Sequence, residues 1–248
     1  MTAGLDGKVA LVTGGGRGIG RAIVVELATC GAAVAVNYRL DREAAQRTVD
    51  EVRAAGGRAI ATPADVSDEE QVRSCVAAVH DELGSIDVLV NNAGLSRLTP
   101  PAQLGAKEWR AVLRVNLDGP FHTTWAVKDE MLARGSGSIV NVASVAGIVP
   151  TAEQIHYGTA KAALIHFTRT CAKAFAPSGV RVNCVAPGFT WTDRVATVDP
   201  AAVERIIAGI PMGRGAAPEE IASVVRFLAS DDASYVTGQV VAACGGRT

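Results

Sequence analysis

Four residues carry types and spacings that suit carbonyl chemistry. Tyr157 and Lys161 stand four apart in a helical stretch and so share one face. Ser144 follows an apolar run, with twelve residues between it and Tyr157. Asn116 lies inside a long helical region, an awkward place for an amide unless its side chain has a task. Reducing a carbonyl needs a hydride donor, a proton donor for the developing alkoxide, and a group that orients the carbonyl. An isolated Tyr, with a pKa of about 10, holds its proton too tightly to shuttle it at neutral pH. A neighbouring ammonium favours the phenolate, and Lys161 is spaced to supply it. Ser144 can hydrogen-bond the carbonyl oxygen as charge grows on it. Asn116 can hold a water that returns protons to Lys161. His156, beside Tyr157, either faces a substrate or turns away along the helix.

A second constellation reads as an anion cradle. Thr13-Gly14-Gly15-Gly16-Arg17-Gly18-Ile19-Gly20 separates a first apolar run from a first periodic one. Glycines between strand and helix let backbone N–H groups approach a pyrophosphate at the helix N-terminus, so Gly14, Gly16, Gly18, Ile19 and Gly20 are candidate cofactor contacts. The second run ends Asn37-Tyr38-Arg39. An NAD-binding unit places an acid there to hold the ribose hydroxyls. Here Asn37 stands instead, with Arg39 following and Arg17 in the glycine turn, which favours NADP(H) over NAD(H). Asp65-Val66 follows the third run, placed either to accept from an adenine amino group or to cap the next turn. Asn91-Asn92-Ala93-Gly94 follows the fourth, and Asn92, Ala93 and Gly94 are candidate cofactor contacts.

These groups need a frame, and the apolar pattern supplies one. Short continuous runs at 8–12, 32–36, 58–62, 86–90, 138–142, 180–185 and 239–242 alternate with helical periods at 19–30, 41–55, 67–83, 106–134, 154–175 and 218–229. Ser67-Asp68-Glu69-Glu70 reads as a capping box. Runs of Val, Ile and Ala without alternation are strands buried on both faces. The fold class is therefore α/β, a doubly wound, mostly parallel sheet with helices on both faces. The 248 residues form one domain, and 189–215 is long enough for a lid. A net charge of −1 excludes a nucleic-acid partner. No apolar run spans a membrane and no signal segment is apparent. Five scattered cysteines, none in Cys-x-x-Cys spacing, read as small buried hydrophobes in a reducing cytoplasm. The histidines show no paired spacing, so no metal site is expected.

Taken together these motifs resemble the short-chain dehydrogenase/reductase family, from Lys8 to Gly246, with Pro187-Gly188 and Thr192 completing the set. The resemblance implies a seven-stranded Rossmann-type sheet, Tyr157 as general acid/base, and Lys161 on the nicotinamide ribose. It implies substrate orientation by Ser144, a proton relay anchored by Asn116, and nicotinamide contacts from Pro187, Gly188, Thr190 and Thr192. It also implies a homotetramer, less often a dimer, built through the long helices. Within the family the text is most similar to the 3-oxoacyl-[acyl-carrier-protein] reductases, so a β-keto thioester is the expected substrate class. A different secondary alcohol or ketone, and a non-catalytic NADP(H)-binding protein, are the alternatives. Three departures stand out. Ser178 replaces a basic residue before Gly179, with Gly135 at the matching site before the fifth strand and Arg134 beside it as a substitute toward an acyl carrier protein. Cys244-Gly245-Gly246 replaces an Asp-Gly-Gly. The substrate pocket is expected to draw on Leu95, Ser96, Ile148, Val149, Pro150, Gln154, Trp191 and the lid to Met212, a largely apolar lining.

Overall fold

The computed structural model describes residues 4–193, 195 and 199–248. Among them seven strands form one sheet in the order β3-β2-β1-β4-β5-β6-β7, and every neighbouring pair is parallel. The strands are β1 (Val9–Val12), β2 (Ala33–Tyr38), β3 (Ala59–Pro63), β4 (Val88–Asn91), β5 (Gly137–Val142), β6 (Val180–Pro187) and β7 (Val240–Ala243). The helices are α1 (Gly18–Thr29), α2 (Arg42–Ala54), α3 (Glu69–Leu83), α4 (Ala106–Leu113), α5 (Gly119–Arg134), α6 (Ile155–Phe175), α7 (Pro200–Ala208) and α8 (Pro218–Ala229).

Strand β1, VALV, is buried throughout, and its side chains divide between two apolar layers. Ala10 and Val12 join Ile23 and Leu27 of α1 and Ile221, Val225 and Leu228 of α8 on one face. Val9 and Leu11 join Val76 and Val79 of α3, Val127 and Met131 of α5, and Phe175 of α6 on the other. A sheet covered on both faces needs small or β-branched residues on both sides of each strand, and that is what the runs contain. Chain order reverses between β1 and β4, so a crevice opens beyond the carboxyl ends of these strands. The glycine turn, Asn37-Tyr38-Arg39, Asp65, Asn92-Ala93-Gly94, Ser144 and Pro187-Gly188 lie at or just past strand carboxyl ends, Tyr157 and Lys161 lie on α6, and Asn116 lies between α4 and α5.

Three local expectations are corrected. Helix α3 starts one residue later than a Ser67 cap implies. Asp68 accepts from the N–H groups of Glu70 and Gln71, while Ser67 Oγ donates to Asp65 instead. The stretch 106–134 is not one helix. Arg114–Asp118 forms a π-helical turn between α4 and α5. The segment 189–215, expected as a lid, holds a helix, α7, started by Asp199 over Pro200; residues 194 and 196–198 of that segment lie outside the described residues. No helix among the described residues is long and apolar enough to cross a membrane.

Candidate active site

The glycine turn is built to exclude side chains. Gly14 has φ +63, and a methyl there would fall 3.1 Å from the Ala93 Cα. One on Gly16 would fall 2.9 Å from the Ala45 backbone nitrogen, and one on Gly20 would strike the Gly14 carbonyl. Thr13 and Asn92 hold the turn against β4. Thr13 Oγ accepts from the N–H groups of Asn92 and Ala93, and Asn92 Nδ2 donates to the carbonyls of Thr13 and Gly14. Helix α1 begins here with no side-chain cap, so its first N–H groups, including that of Ile19, remain available to an anion. This cradle fits the pyrophosphate of a dinucleotide.

Beside it a cavity of about 370 Å³ gathers Gly14, Gly16, Arg17, Asn37, Tyr38, Arg39, Asp65, Val66, Asn92, Ala93 and Gly94. These are eleven of the expected cofactor contacts. Sequence reasoning missed Leu40, Asp41, Ala44 and Val115, which share the lining. The signal for Asp41 was its place two residues past Arg39 at the head of a helix. Asn37 lines the cavity, but its side chain is committed to the protein. Its Oδ1 accepts from Gly14 N, and its Nδ2 donates to the carbonyls of Thr62 and Ala64. Asn37 therefore ties the glycine turn to β3, and Tyr38 and Arg39 form the exposed rim. Asp65 takes the turn-capping role and pairs with Arg39 as well. Its Oδ1 accepts from Ser67 N and Oγ as a turn cap, while its Oδ2 faces Arg39 at 3.4 Å within the cavity. Burial alone raises the Asp65 carboxyl, but the Ser67 hydrogen bonds and Arg39 outweigh it and hold it below its ordinary range. Asn91 points away from the cavity. It bonds Asn141, Thr123 and Thr124 in the interior, joining β4, β5 and α5.

The catalytic candidates converge from three elements. Lys161 is buried to 3 % exposure, donates to the Val142 carbonyl at 2.8 Å, and lies 5.7 Å from the centroid of the half-buried Tyr157 ring. Burial brings its ammonium down from 10.5 to about 8, opposed by the nearby Cys184 thiol. Ser144 starts the short turn after β5 and accepts from Ala146 N at 3.2 Å. Asn116 is fully buried in the π turn, with Nδ2 donating to the carbonyls of Leu95 and Val112. Its Oδ1 has no protein partner. A methyl built on Gly94 would lie 3.1 Å from that oxygen and 3.8 Å from Lys161 Nζ. The missing side chain of Gly94 thus keeps the space between Asn116 Oδ1 and Lys161 Nζ clear.

Of the residues expected to contact the nicotinamide, Gly188 packs on the end of β7, where a methyl would fall 2.8 Å from the Cys244 Cα. Buried Thr190 bonds the Gly188 carbonyl, and Pro187 ends β6. Thr192 lies over Gly18, 3.2 Å from where its Cβ would sit. The expected substrate residues do not gather at one place. Ile148 and Gln154 line a cavity with Pro150, Ile155 and Gly158, and Val149 is exposed beside them. Trp191 lines a different cleft with Arg17, Gly18 and Thr192, its ring edge-on to Phe189 at 5.1 Å. Trp191 thus lies on the glycine-turn side, apart from Ile148 and Gln154 and next to the bridge between Thr190 and Ala216. His156 turns inward, fully buried, with Nε2 3.4 Å from Thr99 Oγ. Arg134 is not free to meet a carrier. It bonds the Ile86 carbonyl and pairs with Asp87 and Glu130.

Comparison with known proteins agrees with this geometry. Residues 14–248 match a family model described as enoyl-(acyl carrier protein) reductase. The chain is 45% identical to a 3-oxoacyl-[acyl-carrier-protein] reductase of Synechocystis, over 99% of this chain and 98% of that one. It is 41% identical to the enzyme of that name from Thermotoga maritima, over 98% of each chain. A solved gluconate 5-dehydrogenase from Burkholderia cenocepacia, in complex with NADP and tartrate, superposes with a TM-score of 0.93 at 35% identity, covering 99% of this chain and 97% of that one. The chain belongs to the short-chain dehydrogenase/reductase family, the NAD(P)-dependent oxidoreductases that its motifs resemble.

Proposed function

We propose that this protein reduces a ketone to a secondary alcohol with NADP(H), its substrate being a β-keto compound of the 3-oxoacyl thioester kind. The observation that carries the reading is the buried Lys161 set beneath the Tyr157 ring, with Asn116 Oδ1 open toward it across Gly94. Bound NADPH supplies the hydride. The glycine turn and the α1 N-terminus hold its pyrophosphate, and Arg17 and Arg39 hold its 2′-phosphate. Ser144 and Tyr157 bond the substrate carbonyl oxygen. As negative charge builds there, Tyr157 gives up its proton. The Lys161 ammonium, poorly solvated, is most stabilised when a phenolate stands opposite it, so it eases that transfer. Water held by Asn116 Oδ1 restores the proton through Lys161. The whole chain works as one nucleotide-binding unit, with 189–215 as its lid.

Relatives named as acyl-carrier-protein reductases support the thioester over a sugar. The internally paired Arg134 weighs against a carrier protein as the physiological donor. One alternative has its own support: the gluconate 5-dehydrogenase likeness favours a polar hydroxy-acid substrate. Half-exposed Phe121 and Trp125, stacked at 4.3 Å on α5, support self-association through the long helices. NADPH oxidation with acetoacetyl-CoA beside 5-ketogluconate and bulky ketones decides among the substrates. Turnover of acetoacetyl-CoA is expected, and turnover of 5-ketogluconate alone would overturn the thioester reading. NADPH binding without turnover of any of them would move the protein to the non-catalytic class.

A further inference from the structure

We propose that Asp41 restrains this chain's preference for NADP(H) over NAD(H). The inference rests on NADP(H) being a cofactor and on the side-chain geometry at the end of β2. Two guanidinium groups face the place where a ribose 2′-phosphate belongs, and the structure matches each with a carboxylate. Arg17 Nη1 lies 3.9 Å from Asp41 Oδ2, and Arg39 Nη1 lies 3.4 Å from Asp65 Oδ2. The cavity is charge-balanced where a dianion must enter.

Neither carboxylate can swing clear cheaply. Asp41 is the N-cap of α2, and its Oδ1 accepts from Ala44 N at 3.0 Å. Turning the group away gives up that cap. Asp65 is held the same way through Ser67. The two differ in what they serve. Asp65 lies past β3 and pairs with Arg39 on the β2 rim. Asp41 pairs with Arg17, whose charge a 2′-phosphate would use and a free 2′-hydroxyl would not. The other charges on the first turn of α2 are turned outward, with Glu43 side chain 91% exposed and paired to Arg47. A 2′-phosphate bonded by Arg17 therefore meets the fixed Asp41 oxygen, whereas a 2′-hydroxyl meets no repulsion.

Asp41→Asn tests this, because Asn remains a good helix cap and only the charge is removed. Dissociation constants of the full-length chain are read by cofactor fluorescence titration, independently of turnover. For the variant we expect NADPH to bind about two- to fivefold more tightly, the scale of one partly exposed charge contact. NADH affinity should change less than about twofold, and the apo thermal midpoint should hold. Asp41→Ser should behave like Asp41→Asn, and Asp41→Glu, which keeps the charge, like the wild type. The gap between wild type and Asp41→Asn should narrow in about 0.5 M salt, where the Debye length is near 4 Å. An unchanged ratio of NADPH to NADH affinity in both neutral variants overturns the proposal. Wild-type protein that binds NADH and not NADPH would overturn the cofactor reading beneath it.

Discussion

At the residue scale, Lys161 is the most expensive side chain in the site. Its ammonium is buried, and its proton affinity falls from 10.5 to about 8. Between those values the unfolded chain binds a proton that the folded chain does not, so stability rises with pH through that window. Below it the burial cost is present in full. Lys161→Met should therefore unfold at higher urea than the wild type at pH 7, by at most roughly 3 kcal/mol. The gap should shrink as pH climbs past 8, and an equal offset at pH 6.5 and 9.5 would refute the assignment of cost to desolvated charge. The same variant should lose turnover, so stability and activity trade against each other at one atom. Tyr157→Phe should lower kcat about 10²- to 10⁴-fold, the usual worth of a positioned acid/base. NADPH affinity should be nearly untouched, because that variant removes only a hydroxyl. Asn116→Ala leaves the Leu95 carbonyl without its side-chain donor, at a cost of about 1–3 kcal/mol in chemical unfolding, together with a drop in kcat.

At the scale of elements, the strands and the glycine turn were legible because their signals are local. VALV at 9–12 and the glycines at 14, 16, 18 and 20 are read without knowing what lies across the sheet. Tyr157 and Lys161 were legible for the same reason, since helical spacing places them on one face. What escaped was decided at a distance. Asn37 looked like a cofactor ligand because the strand ends there, yet its amide is taken by Gly14, Thr62 and Ala64, two of them on the neighbouring β3 segment. Asp68 displaced Ser67 as the α3 cap because Asp65 had already engaged the serine hydroxyl. Helix α7 was hidden by its irregular flanks, although Asp199-Pro200 is an ordinary helix start. Arg39→Ala tests the β2 rim. It should weaken NADPH more than NADH in fluorescence titration, and equal weakening would remove Arg39 from the phosphate.

At the scale of the whole molecule, the parallel sheet gathers groups from six different segments at one edge, and an aromatic cluster spans the two long helices, half-exposed on α5 and more buried on α6. Trp125 lies 6.1 Å from Phe167 and 6.4 Å from Phe175, so the Phe121–Trp125 stack continues from α5 onto α6. Phe121→Glu with Trp125→Glu should lower the mass seen by light scattering, and an unchanged mass would place self-association elsewhere. Because α6 carries both part of this cluster and Tyr157, loss of partners should also loosen the site, measurable as a lower kcat in the dissociated form. The π turn at Arg114–Asp118 adds one consequence of a different sort. A π turn is an α-helix that has accepted one surplus residue. Removing a single residue there restores an unbroken helix, which costs the fold little. The flanking helices keep their phase, because the wider turn had absorbed the extra residue, while the residues inside it, Asn116 among them, are re-aimed. The reading frame is local to the turn, and a one-residue deletion should leave a well-folded, cofactor-binding protein that no longer turns over.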